Sequence, residues 1–164
     1  MNARKIGLLV LGLAALTAVW AAFRPERLFV NQQVHEELAQ AVPSGMATEP
    51  VALARGAFKT VHHDTKGTAT VYQLEDGKRI VRFTEFVTSN GPDVHVVLVN
   101  AADATDDKGV TKAGFVDLGS IKGNVGDQNY ELPEGFDVSK PFAVTVWCKR
   151  FGANFGTAAV TPVS

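Results

Sequence analysis

The stretch Phe142-Ala-Val-Thr-Val-Trp-Cys148 sets the fold class. It is built almost entirely of β-branched and aromatic residues, which fit a pleated, packed surface better than a helix. Working outward, Asp93 to Val99 (DVHVVLV), Arg79 to Phe86 (RIVRFTEF), Thr68 to Leu74 (TATVYQL) and Phe115 to Leu118 have the same composition and read as strands. Turn signals separate them: Glu75-Asp76-Gly77-Lys78 as a hairpin, then Ser89-Asn90-Gly91-Pro92 and Pro133-Glu134-Gly135. No amphipathic helix of ten or more residues follows Arg55, so the crossovers of a parallel βαβ sheet are missing. The expectation is an all-β domain, an antiparallel β-sandwich or flattened barrel of about seven to nine strands.

The N-terminus differs. Ile6 to Phe23 holds 18 consecutive uncharged residues, 15 of them apolar. As a helix the run is about 27 Å long, close to the thickness of a hydrocarbon core. A cleavable signal peptide is the competing reading, but its apolar stretch is usually shorter and ends in small-x-small residues. Trp20 and Phe23 fit an interfacial aromatic position better, which favours an uncleaved transmembrane helix. Arg4, Lys5 and the terminal amine outnumber Arg24 and Arg27 by one charge, favouring a cytoplasmic N-terminus and an exported C-terminal part. The expected organisation is an anchor or signal peptide over residues 1–23, a stalk over 24–54 and a β domain over 55–164. Within the stalk, Val34 to Ala41 has helical composition, and Pro43, Ser44, Gly45 and Pro50 break any regular element.

Sixteen Lys and Arg against 17 Asp and Glu leave a formal net charge of −1. That balance argues against a nucleic-acid partner, which calls for a basic face. The mean hydropathy of +0.05 comes largely from the apolar N-terminal run.

Cys148 is the one cysteine. In an oxidising compartment a single thiol stays free, pairs between chains or binds something. Its neighbours Lys149 and Arg150 would favour the thiolate if they lay close in space; a buried structural thiol is the bland alternative. Asp93 and His95 alternate on one strand face and could share a proton or a ligand, or simply bond to one another. His62-His63-Asp64 reads as a solvated loop, and His35 has no partner in sequence. Gly119 to Gly126 is glycine-rich around Lys122 but lacks the ending and the helix of a phosphate loop. Asp103, Asp106 and Asp107 lack the glycine placement of a calcium loop. No hydrolase, Cys-x-x-Cys or haem-attachment motif occurs, and no metal site is expected.

Three stretches resemble the DM-thirteen domain family: Phe86-Val-Thr-Ser-Asn-Gly-Pro-Asp-Val-His-Val96, Leu118-Gly-Ser-Ile-Lys-Gly-Asn-Val-Gly-Asp-Gln-Asn-Tyr130, and Val146-Trp-Cys-Lys-Arg-Phe151 followed by Phe155-Gly156. The similarity runs from about Gly56 to Ala159. It implies an extracellular all-β domain, often found beside DOMON-type domains, in an electron-transfer system acting on cell-surface proteins. It also implies that Cys148 is the redox centre, as a bare thiol or as a ligand to a group such as haem, with His95 and Asp93 as second ligand or proton partner. The electron donor would then be a separate protein. The alternative is a non-enzymatic binding or adhesion module with a structural cysteine, presenting Asn124, Asp127, Gln128, Asn129 and Tyr130 as a contact loop. The two readings separate on whether Cys148, Asp93 and His95 converge, since the ligands of one centre must.

Overall fold

The β-branched runs pair as their composition predicts. The computed structural model describes residues 2–23, 30–38 and 49–163. Helix α1 (Ala3–Phe23) comes first. Strands β1 (Gln33–His35), β2 (Val51–Ala57), β3 (Lys59–Thr60), β4 (Lys66–Gln73), β5 (Arg79–Val87) and β6 (Val94–Val99) follow. After helix α2 (Asp107–Ala113) come β7 (Phe115–Ser120), β8 (Val125–Glu131), β9 (Phe142–Cys148) and β10 (Ala153–Pro162). The hairpin at Glu75–Lys78 forms as read: the Leu74 N–H donates to the Lys78 carbonyl at 2.8 Å, and Gly77 takes φ +83°.

The strands make one curled, open sheet in the order β1-β8-β5-β4-β2-β10-β9-β6-β7, with β3 added beside β10. Strand β10 joins the two halves. Its first part pairs with β9 and β3, and its end, Thr161 and Pro162, pairs with β2. The fold is thus all-β as expected, but the described residues hold ten strands, and β1 runs parallel to β8. The strands not foreseen are short, glycine-rich or mixed in polarity, so period-two alternation is weak in them. The helical reading of Val34 to Ala41 is corrected at Val34 and His35, which are extended in β1; residues 39–48, with Pro43, Ser44 and Gly45, lie outside the described residues.

The halves close on an apolar core contributed by both. Its centre is aromatic: Phe83 meets Phe58 at 4.9 Å, Phe86 at 4.9 Å and Tyr130 at 5.4 Å between ring centroids. A second, smaller cluster lies on the outer side of β6 and β9, where Val110 of α2 covers Val97, Val99 and Trp147. Asp106 caps α2 by accepting from the Gly109 N–H. With both faces covered, all seven residues of β9 are buried. Such a strand reads as a continuous apolar run rather than an alternating one. Helix α2, seven residues long, is too short for a helical period to register.

Helix α1 keeps its apolar side chains exposed, with Leu8, Leu11 and Leu16 each more than two-thirds accessible. Among the described residues, however, no helix is long and apolar enough to cross a membrane. The expectation of a transmembrane helix is corrected to that extent.

Phe83→Ala removes the ring around which three others pack, and is expected to cost about 3–5 kcal/mol. Urea unfolding of the full chain checks this through a lowered midpoint at unchanged slope.

Candidate functional site

Strand alternation decides where the chemically active side chains go. In the β6–β9 ladder Val94 lies opposite Cys148, and His95 lies opposite Trp147. Residues paired across a ladder share a face, and their chain neighbours take the other. Val94 and Cys148 therefore face the inter-sheet core, whereas His95 and Trp147 face outward. Cys148 and His95 sit on opposite faces of the same two strands. The turn holding Asp93 and the end of β9 do meet, through a Lys149 N–H donated to the Asp93 carbonyl at 2.9 Å. The side chains read as one site nevertheless do not converge.

Cys148 is completely buried and belongs to the main core with Val94, Val96, Val144 and Val146. Trp147 is buried as well, at 3% exposure, beneath α2. Strand alternation alone would put one of this pair inside and one outside; both are inside because each face of β9 has its own cover. Lys149 does not serve the thiol: its ammonium lies 3.0 Å from Asp117 on the other face.

His95 is the centre of that outer cluster. Its Nδ1 lies 2.9 and 3.0 Å from the two Asp117 carboxylate oxygens, and its Nε2 lies 3.2 Å from Asp93 Oδ1. The Ser120 hydroxyl is 3.4 Å from Nε2. Burial alone would raise the Asp117 carboxyl. Hydrogen bonds from His95, the Gly119 N–H and Lys149 outweigh it and hold the group below the usual carboxylate range. The cluster can hold a proton between two carboxylates. It is not a metal centre, since the two ring nitrogens point at different carboxylates, and no group of three or more His, Cys, Asp or Glu among the described residues could hold a metal ion.

A haem, implied by the resemblance, does not fit the residues around Cys148. A cleft lined by Val94, the cross-strand partner of Cys148, with Gly91, Pro92, Asp93, Ile121 and Asn124 among others, has a volume of about 150 Å³. Ligand pockets run to about 300–1,000 Å³. The thiol itself is fully buried in packed apolar surroundings, and His95 faces the other side of the sheet.

The remaining candidates have structural work. His62 Nε2 pairs with Asp107 at 3.0 Å, and the His63 ring stacks on Phe155 at 3.9 Å. Asp107 also accepts from the Asn154 N–H at 2.7 Å, and Asp103 accepts from the Ala104 N–H. The proposed contact loop is strand β8 rather than a loop. Tyr130 and Gln128 are buried and bonded to each other at 2.6 Å, Asp127 pairs with Arg82 at 2.7 Å, and burial pushes the Tyr130 phenol upward. Arg82 and Glu36 were missed. A lone arginine in an apolar run, here 8% exposed, was the available signal.

Because Asp117 is held low, its contribution to stability is present above the unfolded carboxylate value and is lost as pH falls through the folded value. Asp137, lowered by Ser139 and Lys140, acts in the same direction. Thermal unfolding of the full chain is therefore expected to show Tm falling below about pH 4, with a shallower fall in Asp117→Asn. An identical acid limb in that variant overturns the assignment.

Comparison with known proteins bears on the same residues. A family model described as electron transfer DM13 matches residues 57–160, a span that contains β3 to β9, most of β10, α2, Cys148 and His95. No curated protein and no solved structure gives a significant match. With well over half its length matched, the chain belongs to the DM13 electron-transfer family.

Proposed function

We propose that the chain is an extracytoplasmic electron-transfer module whose working group is the Cys148 thiol. The observation that supports this reading is that an electron-transfer domain with one cysteine places it at the last position of β9, beside a short turn. Lys149, Arg150 and Phe151 of that turn are exposed, and Val94, the cross-strand partner of Cys148, lines an open cleft. Opening of this end of the β9–β10 hairpin exposes the thiol without dismantling the core, because element ends open at lower free energy than the global transition.

The chemistry available to a single thiol is exchange with a disulfide of a partner protein. The Cys148 sulfur attacks one sulfur of the partner. The partner's S–S bond breaks, a mixed disulfide forms, and the departing sulfur takes the proton that Cys148 gives up. One thiol of a dithiol partner then attacks the Cys148 sulfur and frees the first partner as a dithiol; its second thiol displaces Cys148 and closes a disulfide in the new partner, so that oxidising equivalents pass through Cys148 and the chain returns unchanged. Burial protects the thiol between partners. Helix α1, with its exposed leucines, holds the domain at the outer side of a membrane. Flotation of the full chain with lipid vesicles tests this attachment, and recovery in the dense fraction contradicts it.

A second reading is favoured by the complete burial of Cys148. Here the domain is a non-enzymatic binding or adhesion module, and the thiol is a small hydrophobe in the core. The two readings part on reactivity. In native buffer an aromatic disulfide reagent is expected to react with one thiol per chain, at a rate that low urea barely changes. Reaction only as urea unfolds the chain contradicts the redox role and supports the second reading. Cys148→Ser abolishes the reaction and, by burying a hydroxyl without a partner, is expected to cost about 1–3 kcal/mol.

A further inference from the structure

Strand β1 lies outside the matched family region and is seated on the β8 edge, which lies within it. None of its side chains enters either apolar core. What holds residues 31–37 is a row of groups presented by the sheet. Asn124 Oδ1 accepts from the Gln32 N–H at 2.7 Å, Arg82 Nη1 donates to the Glu36 carbonyl at 2.7 Å, and Asn129 Nδ2 donates to the Glu37 carbonyl at 3.1 Å. These three side-chain holders are 6%, 8% and 8% exposed. All three grip the main chain, and Asn124 Nδ2 donates in addition to the Asn31 side-chain oxygen at 2.9 Å.

Two further features read side chains. Val34 lies over glycine: a Cβ at Gly123 would come within 2.6 Å of Val34 Cγ2, and one at Gly126, which has φ +100°, would collide with the Val34 carbonyl oxygen. Two residues on, both Glu36 carboxylate oxygens lie 2.8 Å from Lys122 Nζ, and one accepts from the Asn129 N–H at 2.7 Å. Main-chain bonds plus alternate side-chain sockets are the physics of peptide recognition by strand addition.

We propose that the β8 edge is a peptide-recognition site for an extended segment of a partner protein that carries a β-branched residue two places before a glutamate. Residues 31–37 occupy the site in cis. The covalent link gives the resident segment an effective concentration of roughly millimolar order, so a partner strand gains the edge only by matching the same sockets. The charge of Lys122 selects the carboxylate. This inference goes beyond the redox reading and does not rest on it.

The test uses the full chain with the resident segment disabled by Val34→Asp and Glu36→Lys. The probe is a labelled synthetic peptide with the sequence Val30 to Leu38, followed by fluorescence anisotropy. Emission of the buried Trp147 monitors folding. Binding is expected to be at least about tenfold tighter to the double variant than to the wild type. Adding Lys122→Met should weaken it by about tenfold or more, as loss of a charged hydrogen bond requires. Glu36→Gln alone, which leaves every strand's packing intact, should bind the peptide with intermediate affinity. Equal binding to wild type and both variants, no binding to either variant, or binding that Lys122→Met leaves unchanged overturns the proposal.

Discussion

The pairing of Val94 with Cys148, and of His95 with Trp147, is the constraint on which the arrangement of active groups depends. A strand sends successive side chains to opposite sides, so two residues adjacent in the ladder cannot share a centre. Here the rule places the chain's one thiol in the apolar core and the His95–Asp93–Asp117 cluster on the outer face. It also explains why Trp147 and Cys148 are both buried: the core covers one side of β9, and α2 with its loop covers the other. A shared cofactor between Cys148 and His95 is incompatible with that register, whatever the ligand. What remains is a thiol enclosed in the apolar core and a histidine that fastens β6 to β7 through Asp117.

The opposite margin of the sheet is organised by charge and main chain instead of apolar packing. Arg82 sits between the Asp127 and Asn129 side chains and the Glu36 carbonyl, all within 2.9 Å, and Lys122 closes the Glu36 carboxylate from the other side. A buried arginine stripped of such partners would carry a heavy desolvation penalty, so this network fixes the β5–β8 margin firmly. Strand β1 adds to it from outside through backbone bonds and two small sockets. The two ends of the sheet thus offer different things: an apolar, thiol-bearing end beside a small cleft, and a polar edge shaped for an extended chain.

Much of this was legible in the sequence, and the limits were physical. β4, β5, β6, β7 and β9 announced themselves because their faces are apolar and β-branched, and β9 was read to the residue. β8, with the sequence Val-Gly-Asp-Gln-Asn-Tyr-Glu, looked like a polar loop because its buried positions are filled by Gln128, Asn129 and Tyr130, which bond to one another and to β1. Nothing local distinguishes a satisfied buried glutamine from a solvated one. α2 was hidden by its length, and β1 by a helix-forming composition that the β8 edge overrides. The prominence of Cys148 followed from counting and from resemblance; its burial depended on α2 and on the register, which are long-range facts.

The central claim is that Cys148, though enclosed, exchanges with disulfides while the domain stays folded. The most direct measurement equilibrates the full chain, without denaturant, in glutathione buffers of stepped potential and counts the adduct on Cys148 by intact mass. The account predicts a single reversible titration to one glutathione per chain, with the emission of Trp147 unchanged throughout. A thiol that remains unmodified across the whole range, and takes up glutathione only after the chain is unfolded, would contradict it.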